Sequence, residues 1–478
     1  MLRVVRRLSV KRRLTHSYAA IDDSDLKSFE SILGPENVKT KDIDDFTGDW
    51  TRQFKGNGSV VLQPSTTEQV SQLLSHCSKR KLAVVPQAGN TGLVGGSVPV
   101  HDEIVLSVRK INKNFQFRDG ILTADAGFVL QDLDERLGKE GYMMPFDLGA
   151  KGSCLIAGNI ATCAGGIRLL RYGSLHAHLL GLTAVLPNDS GTILNLGSGI
   201  RKDNTAFHTP HIFLGSEGQL GIITSVTMTA VPRPTSVNSA MLGVDSFDKC
   251  TQILRLARQR LSEILSSFEF LDEQAMAALE ENLELQSVLS EKTPFTLLVE
   301  TSGSNEAHDK EKVSSFLEEC MDKSLISDGV SAESTTEAQK MWLLRESAPL
   351  AVSRDGYVWK HDVSLPLKHF YELTEVMRER CGDRVKRLVT WGHLGDGNSH
   401  LNITTEAYDP DFKKLLYPFL YEWVVAHGGS ISAEHGLGKL KLPYAHFGKS
   451  QEELELAKGI KALFDPNHIL SPHKFNQF

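Results

Sequence analysis

The most informative stretch of this chain is residues 86–97, which reads Pro86-Gln87-Ala88-Gly89-Asn90-Thr91-Gly92-Leu93-Val94-Gly95-Gly96-Ser97. Glycines lack a Cβ atom, so consecutive backbone N–H groups in such a loop can converge on an anion, and the interleaved Asn, Thr and Ser side chains add donors. A single loop of this kind is more often a tight turn than a binding site. A binding site is therefore predicted only if the chain repeats this pattern elsewhere.

The pattern is repeated three times before residue 222, in Gly149-Ala150-Lys151-Gly152-Ser153, in the segment from Gly158 to Gly166, and in Gly215-Ser216-Glu217-Gly218-Gln219-Leu220-Gly221. Four such loops, each between apolar segments, predict a cofactor that carries a diphosphate. The chain has neither a G-x-G-x-x-G motif after a strand, typical of nicotinamide sites, nor a G-x-x-x-x-G-K-[ST] phosphate loop. With both of these motifs absent, the dinucleotide cofactor that the loops predict is a flavin.

The composition is that of a soluble globular protein with two or three domains, since 41% of the 478 residues are hydrophobic and 23% are charged. The six cysteines form no C-x-x-C pair, which argues against a disulfide framework and a thiolate metal site. No apolar run approaches the roughly 20 residues that a membrane-spanning helix needs. The formal net charge is -7 and basic residues are scattered, which disfavours a nucleic-acid partner.

Residues 1–20 are basic and are predicted to be a mitochondrial transit peptide. They hold six Lys and Arg residues, and no acidic residue appears before Asp22. Apolar residues alternate with the arginines, so a short helix would have one apolar and one cationic face. The alternative is a disordered basic arm.

The rest of the chain is predicted to be α+β and divides at a proline-rich segment, Val231-Pro232-Arg233-Pro234, which cannot continue a central strand or a helix. Residues 21–234 form the predicted cofactor domain, in which Ser65 and Glu68 suggest a capping box at the start of a helix. Residues 235–385 are predicted to form an α+β substrate domain, with a helical pattern from Ile253 to Leu265. Residues 386–478 form a C-terminal segment of a hairpin and helices.

The hairpin places histidines together. Residues 387–391 are strand-like, residues 395–398 have turn composition, and His400, Asn402 and Thr404 alternate with apolar residues. Pairing of the two strands would bring His393 beside His400 and put Asn402 on the same face as His400. Glu434 is an available carboxylate, and two imidazoles with one carboxylate resemble the ligand set of a catalytic zinc ion.

Four segments resemble the FAD-binding domain of the vanillyl-alcohol oxidase and p-cresol methylhydroxylase superfamily: residues 86–92, residues 149–153, Arg171-Tyr172-Gly173-Ser174 and Leu214-Gly215-Ser216-Glu217-Gly218. Within it, the chain resembles the mitochondrial D-2-hydroxyglutarate dehydrogenase family over nearly its whole length after residue 40. The resemblance implies a two-subdomain FAD-binding domain of the p-cresol methylhydroxylase type, an α+β substrate (cap) domain and a C-terminal helical segment that closes the active site. Ala88 and Gln219 stand where relatives often have Gly and Thr.

The resemblance also implies how the flavin is bound. A covalent flavin in this superfamily is commonly held by a histidine of the first loop, but this loop has Asn90 and no histidine, so noncovalent FAD is expected. The residues expected to bind it are Gly89, Asn90, Thr91, Gly92, Gly95, Gly96, Ser97, Gly152, Ser153, Gly158, Thr162, Gly218 and Ile222.

The segments H-L-G-D-G-N-S-H, from residue 393, and A-E-H-G-L-G, from residue 433, match the same family. By this match His393, His400 and Glu434 bind zinc or a similar divalent ion, with manganese and iron as alternatives. His435 is then the catalytic base on the substrate side, and the residues matched to the substrate are Arg345, Lys360, Asn402 and His435. Relatives usually have Thr four residues after the arginine, where this chain has Pro349.

The activity implied is oxidation of D-2-hydroxyglutarate to 2-oxoglutarate. The metal would lower the pKa of the hydroxyl group, His435 would accept its proton, and the hydride would pass to N5 of the flavin. The family precedent for reoxidation is electron-transfer flavoprotein in the mitochondrial matrix. Two alternatives stay open: a D-lactate or other D-2-hydroxy acid dehydrogenase of the same family, and a non-catalytic flavin- or metal-binding protein.

Overall fold

The computed structural model describes residues 18–474, in which strands up to residue 232 build three sheets and strands from residue 236 onward build a fourth. The fold is α+β, as the sequence predicted. All six basic residues of the predicted leader lie in residues 1–17, outside the described range. None of the helices within residues 18–474 combines the length and apolar character needed to cross a bilayer.

The first unit, up to residue 232, consists of short strands and helices around one apolar core. Its strands are Val38–Lys39 (β1), Val61–Leu62 (β2), Val84–Gln87 (β3), Ile104–Ser107 (β4), Phe115–Arg118 (β5), Ile121–Asp125 (β6), Tyr142–Met143 (β7), Leu179–Val185 (β8), Ile193–Leu196 (β9), Ile222–Thr229 (β10) and Val231–Pro232 (β11). Its helices are Asp23–Leu33 (α1), Asp44–Thr47 (α2), Thr67–Arg80 (α3), Leu130–Gly138 (α4), Ile156–Thr162 (α5) and Leu169–Tyr172 (α6).

The strands of the first unit form two main sheets. One has the order β1-β2-β4-β3, in which β4 runs parallel to both of its neighbours. The other is antiparallel with the order β5-β6-β10-β8-β9. Apolar side chains of both sheets and of α3, α4 and α5 share one core, so the two sheets fold as one body.

The second unit is a seven-stranded antiparallel sheet with helices on both faces. Its strands are Ser236–Val244 (β12), Leu265–Asp272 (β13), Phe295–Gly303 (β14), Asp328–Ser331 (β15), Tyr357–Ser364 (β16), Arg387–His393 (β17) and Asn398–Thr405 (β18). The helices that follow β12 along the chain are Phe247–Arg260 (α7), Glu273–Leu283 (α8), Glu306–Asp322 (α9), Thr335–Ser353 (α10), Glu372–Cys381 (α11), Pro410–Leu416 (α12), Phe419–Ala426 (α13) and Gln451–Phe464 (α14).

The strand order of this sheet, β15-β12-β14-β13-β17-β18-β16, places the C-terminal hairpin of β17 and β18 between strands from the middle of the chain. One sheet face packs on α7 and α9, where Phe268 and Phe270 are buried. The other face packs on α8 and α10 around Leu271, Val389 and Trp391. Both faces are covered, so a polar residue on either of them must have a partner.

The chain finally returns to the first unit. Ile469 and Leu470 are fully buried in its core, and α14 packs there through Phe464, whose ring contacts Phe213. The Val84 N–H donates to the Ile469 carbonyl at 2.8 Å and the Ser471 N–H donates to the Val84 carbonyl at 2.8 Å. The last described residues are therefore part of the first unit.

Two local predictions differ from the structure. The helix after residue 64 is capped by Thr66, whose hydroxyl accepts from the Gln69 N–H, so the capping box from Ser65 to Glu68 is wrong by one residue. Helix α7 ends at Arg260, and Leu265, predicted to be helical, begins β13. The segment Val231–Pro232 forms a two-residue strand against β7 at a sheet edge, where a proline is tolerated.

Candidate active site

The site forms on the sheet face that α8 and α10 cover in part. In the register of β17 and β18, Trp391 is opposite His400 and His393 is opposite Asn398. The ring centroids of His393 and His400 are 5.4 Å apart. The predicted hairpin therefore forms, and it brings the two histidines together.

Glu434 completes a three-residue donor set. Its Oε1 lies 3.8 Å from Nε2 of His393, and one ligand atom from each of His393, His400 and Glu434 lies within 4.8 Å of the other two. All three side chains are largely buried. Two imidazoles and a carboxylate at this spacing fit a divalent ion with an open coordination position.

Glu269 of β13 orients the first of these histidines. Nδ1 of His393 lies 2.8 Å from Oε2 of Glu269, which leaves Nε2 facing Glu434. Burial alone would raise the pKa of Glu269, but His393 and Arg345 lower it to about 2. A carboxylate that fixes the tautomer of a histidine is the usual outer partner of a metal-binding imidazole.

Glu269 is not among the residues predicted from the sequence, although the chain carries a signal for it. The residue is an acid between the apolar residues Phe268 and Phe270 of a buried strand, where an acid needs a partner. Period two also places it on the face opposite to its phenylalanine neighbours, and its register partner is His393.

Arg345 of α10 also lies at this site, but it is engaged with the protein. Its Nε donates to Oε2 of Glu269 at 2.8 Å, its Nη2 lies 2.8 Å from the same oxygen as an ion pair, and the side chain is buried. No hydrogen bond within residues 18–474 uses its Nη1, so part of the guanidinium is still available. Pro349, one turn further along α10, is exposed and deprives the Arg345 carbonyl of its helical N–H donor.

Asp362 of β16 is a second residue that the sequence analysis missed. Its Oδ2 accepts the backbone N–H groups of Glu434 and His435 at 3.0 and 2.9 Å. Burial acts to raise the pKa of Asp362, but His435 and the buried Lys441 hold it well below its usual range. One charged side chain therefore fixes the backbone of Glu434, the predicted ligand, and of His435, the predicted base.

His435 lies beside the donor set. Its ring stacks on that of His400 with centroids 5.8 Å apart, and its Nδ1 is 3.7 Å from Oδ2 of Asp362. Asp362, His400 and His435 also bring ligand atoms within 4.8 Å of one another, so His400 belongs to two possible donor sets. The residue predicted to be the base therefore lies between the Asp362 carboxylate and the His400 ring.

Lys360 and Asn402 lie on the same face of the sheet as His400, two residues along their strands from the pair of Asp362 and His400. They are opposite each other in the register of β16 and β18. Burial lowers the pKa of Lys360, while Asp49 of the first unit opposes this. Nζ of Lys360 lies 5.5 Å from the ring centre of Trp50, whose side chain is 64% exposed. Asn402 donates from Nδ2 to the His400 carbonyl at 3.2 Å.

The glycine-rich loops of the first unit pack directly on one another. A Cβ atom on Gly89 would lie 2.6 Å from the Ser153 carbonyl, and one on Gly158 would lie 2.9 Å from Cβ of Ala88. The loops can therefore converge only with glycine at these positions. A Cβ on Gly92 would meet no atom within 4 Å, so this loop borders open space.

The polar side chains of the first loop hold the loop itself. Asn90 donates from Nδ2 to the carbonyls of Asp45 and Gly48, and its Oδ1 accepts from the Ser97 hydroxyl at 2.7 Å. The Thr162 hydroxyl likewise donates to the Gly158 carbonyl at 3.0 Å. The donors left in this cradle include the backbone N–H groups of the loops, which fits a diphosphate.

Two carboxylates join the loops to the metal-type donor set. Oε1 of Glu434, the atom that faces His393, accepts the Gly166 N–H at 2.7 Å. Glu217 accepts the N–H groups of Leu437 and Gly438 at 2.8 Å each, and burial raises its pKa despite these bonds. The glycine loops and the histidine cluster therefore meet at a single site.

Two family models match the chain: an FAD binding domain over residues 58–197 and the C-terminal domain of FAD linked oxidases over residues 233–475. The mitochondrial D-2-hydroxyglutarate dehydrogenase of Rattus norvegicus is 45% identical, covering 96% of this chain and 85% of the relative. A protein of Schizosaccharomyces pombe named putative mitochondrial D-lactate dehydrogenase is 43% identical, covering 96% of this chain and 91% of the relative.

The fold is shared with solved structures of other proteins. The structure of p-cresol methylhydroxylase with substrate bound superposes with a TM-score of 0.71 at 15% identity, covering 95% of this chain and 96% of that one.

Proposed function

We propose that this chain, which belongs to the mitochondrial D-2-hydroxyglutarate dehydrogenase family of FAD-linked oxidases, oxidises D-2-hydroxyglutarate to 2-oxoglutarate. The observation that carries the proposal is the position of Glu434, whose Oε1 lies against both His393 and the Gly166 turn. A substrate bound at the donor set would therefore lie at the edge of the flavin cradle.

The residues present suit both groups that the reaction needs. FAD, held noncovalently by the glycine loops, supplies the acceptor for the hydride that leaves Cα of the substrate. A divalent ion such as zinc, held by His393, His400 and Glu434, supplies the Lewis acidity that lowers the pKa of the substrate hydroxyl. The oxidation removes two electrons and two protons in total, one of them as part of the hydride.

The second proton is assigned to His435. Its Nδ1 faces Asp362, so its Nε2 accepts the hydroxyl proton, and the carboxylate stabilises the resulting imidazolium. Asp362 also holds the backbone N–H of His435, which fixes the base before substrate binds.

The cations on the same face are assigned to the substrate carboxylates. Arg345, with Nη1 still available, meets one carboxylate, and Lys360 with Asn402 meets the other. Lys360 favours a dicarboxylic acid, because lactate has no distal carboxylate for this cation. The second candidate function, oxidation of D-lactate, has support in the name of the Schizosaccharomyces pombe relative.

Location and electron acceptor are part of the proposal. Relatives are named mitochondrial, and residues 1–20 have the composition of a transit peptide, so we place the protein in the mitochondrial matrix. Electron-transfer flavoprotein is the proposed acceptor, since the chain has no nicotinamide motif. Faster reoxidation by NAD⁺ than by electron-transfer flavoprotein in a stopped-flow experiment would refute that assignment.

The test is anaerobic mixing of the purified flavoprotein with D-2-hydroxyglutarate, D-malate and D-lactate in turn. We expect D-2-hydroxyglutarate to bleach the flavin absorbance and to give the highest kcat/KM. A higher kcat/KM for D-lactate would establish the second candidate. Absence of bleaching by all three acids in the metal-loaded protein would make the chain a non-catalytic flavin-binding protein.

A further inference from the structure

A second cluster of metal-ligand side chains lies apart from the active site. One ligand atom from each of His369, Glu372 and His427 lies within 4.8 Å of the other two, and all three residues are partly exposed. The cluster shares no residue with the set of His393, His400 and Glu434. None of its three residues has a role in the oxidation proposed above.

His427 is already oriented as a metal ligand would be. Its Nδ1 lies 2.7 Å from the Trp423 carbonyl, and because a carbonyl can only accept, the ring proton is on Nδ1. Nε2 therefore keeps its lone pair. The ring also stacks on Trp423 with centroids 3.8 Å apart, which limits its rotation. A histidine with Nδ1–H bonded to a carbonyl is the usual form of an imidazole ligand.

The other two ligands come from a neighbouring segment. His369 and Glu372 are three residues apart around the start of α11, and Nδ1 of His369 is within hydrogen-bonding distance of Oε2 of Glu372. The rings of His369 and His427 have centroids 4.7 Å apart. The three side chains can thus reach a single ion with the backbone in its present conformation.

The two segments that carry these ligands are joined by a backbone bridge. The Ser364 N–H donates to the Ser430 carbonyl at 3.1 Å, and the Ser430 N–H donates to the Ser364 carbonyl at 2.9 Å. The ligands are therefore brought together before any ion binds. His427 also follows the last residue of α13, where the helix dipole favours positive charge.

We propose that His369, Glu372 and His427 bind a divalent transition-metal ion of the zinc class, with water completing its coordination. Two imidazoles and one carboxylate are ligands that such ions accept, and magnesium or calcium would prefer oxygen ligands alone. The bound ion joins the end of β16 to the segment between α13 and Glu434. It thereby stabilises the backbone that leads into the active site.

The first experiment counts bound zinc in the FAD-loaded protein after equilibrium dialysis against Zn²⁺, by elemental analysis. We expect His427→Gln to bind one Zn²⁺ fewer than the wild type. His308→Gln is the matched control, because His308 is an exposed histidine beside a carboxylate, Asp309, and is outside the three clusters of metal-ligand residues found within residues 18–474. Equal zinc content in His427→Gln and the wild type would overturn the proposal.

The second experiment separates this site from the active site. In the His393→Ala background, His427→Gln should again remove one equivalent, whatever the occupancy of the catalytic set. Glu372→Gln, which preserves side-chain size, should weaken zinc binding in a chelator-competition titration by at least about tenfold, as the loss of even an outer partner commonly does. Unchanged zinc affinity in folded, flavin-loaded Glu372→Gln would refute the assignment.

Discussion

At the scale of single residues, the site depends on charges that never reach solvent. Glu269 and Asp362 are each about 1% exposed, and each pairs with groups on other strands or segments. Neither is expected to touch the substrate. Their role is positional: Glu269 fixes the ring of His393 and Asp362 fixes the backbone of Glu434 and His435.

Glu269→Gln should weaken metal binding without loss of FAD. The amide cannot carry the charge that balances His393 and Arg345, and changes of outer partners typically cost 10- to 100-fold in metal affinity. The measurement is a metal titration with flavin content followed by absorbance. Glu300→Gln is the control, since Glu300 is a partly buried acid of the adjacent strand β14 that accepts a hydrogen bond from Trp342. Equal metal affinities for both variants would refute the role of Glu269.

Lys360→Met should raise KM for D-2-hydroxyglutarate about 10- to 100-fold, which is the range for loss of a charge-assisted bond. The methionine preserves the apolar stem but removes the cation. KM for D-lactate should change little, because that substrate lacks the second carboxylate. Steady-state kinetics with both acids provide the comparison, and a parallel rise in both KM values would contradict the assignment of Lys360.

At the scale of elements, the alternation of apolar and polar residues predicted those features that depend on residues close together in the sequence. The hairpin of β17 and β18 follows from alternation on either side of a glycine-rich turn, and its register places His393 near His400 as predicted. The pairing of Glu269 with His393 spans 124 residues, and no local pattern encodes it. Likewise, α7 ends at Arg260 because Leu265 pairs with Thr301 across the sheet. In both cases the pairing of strands that are distant in sequence determined the structure.

The pair of α1 and α3 has a buried charge whose effect depends on pH. Asp25 is fully buried and accepts hydrogen bonds from Arg80, the main cause that lowers its pKa to about 2, and from His76. A depressed carboxyl pKa stabilises the fold above the pKa of the unfolded state, near 3.8, and this contribution is lost as the pH falls towards 2.

Asp25→Asn should therefore lower the free energy of unfolding by about 1–2 kcal/mol at pH 7, allowing for solvent around Arg80, and by much less at pH 2.5. Denaturant unfolding at the two pH values measures the difference. Asp44→Asn is the control, because Asp44 pairs with Lys55 on the exposed surface, where such a pair contributes little. A loss in Asp25→Asn that is the same at both pH values would exclude an ionic origin.

At the scale of the whole molecule, the active site exists only where the two units meet. Glu217 comes from the first unit and binds the backbone of Leu437 and Gly438, close in sequence to Glu434, the proposed ligand. The sequence pattern identified the flavin loops and the histidine cluster separately. It contained no sign of how they are joined, since Glu217 appeared only as one residue of a glycine-rich loop.

Glu217→Gln should lower both stability and turnover. The glutamine amide group would face a backbone N–H, and an unsatisfied buried donor costs about 1–3 kcal/mol. Flavin-reduction rates and denaturant unfolding measure the two effects. Glu103→Gln is the matched control, since one oxygen of Glu103 accepts both N–H groups, from Val100 and His101 of its own loop, so both bonds can persist. Unchanged turnover in Glu217→Gln would refute the coupling of the units.

The return of Ile469 and Leu470 to the core beside β3 also bears on biosynthesis. More than two hundred residues of sheet and helix are translated between β10 and this pair. While those residues emerge from the ribosome, the nucleotide-binding half has an unfilled gap beside Val84. The first unit can therefore close its core only after Ile469 and Leu470 have been translated, and a nascent chain stalled before residue 469 would expose the apolar surface beside Val84 to chaperones.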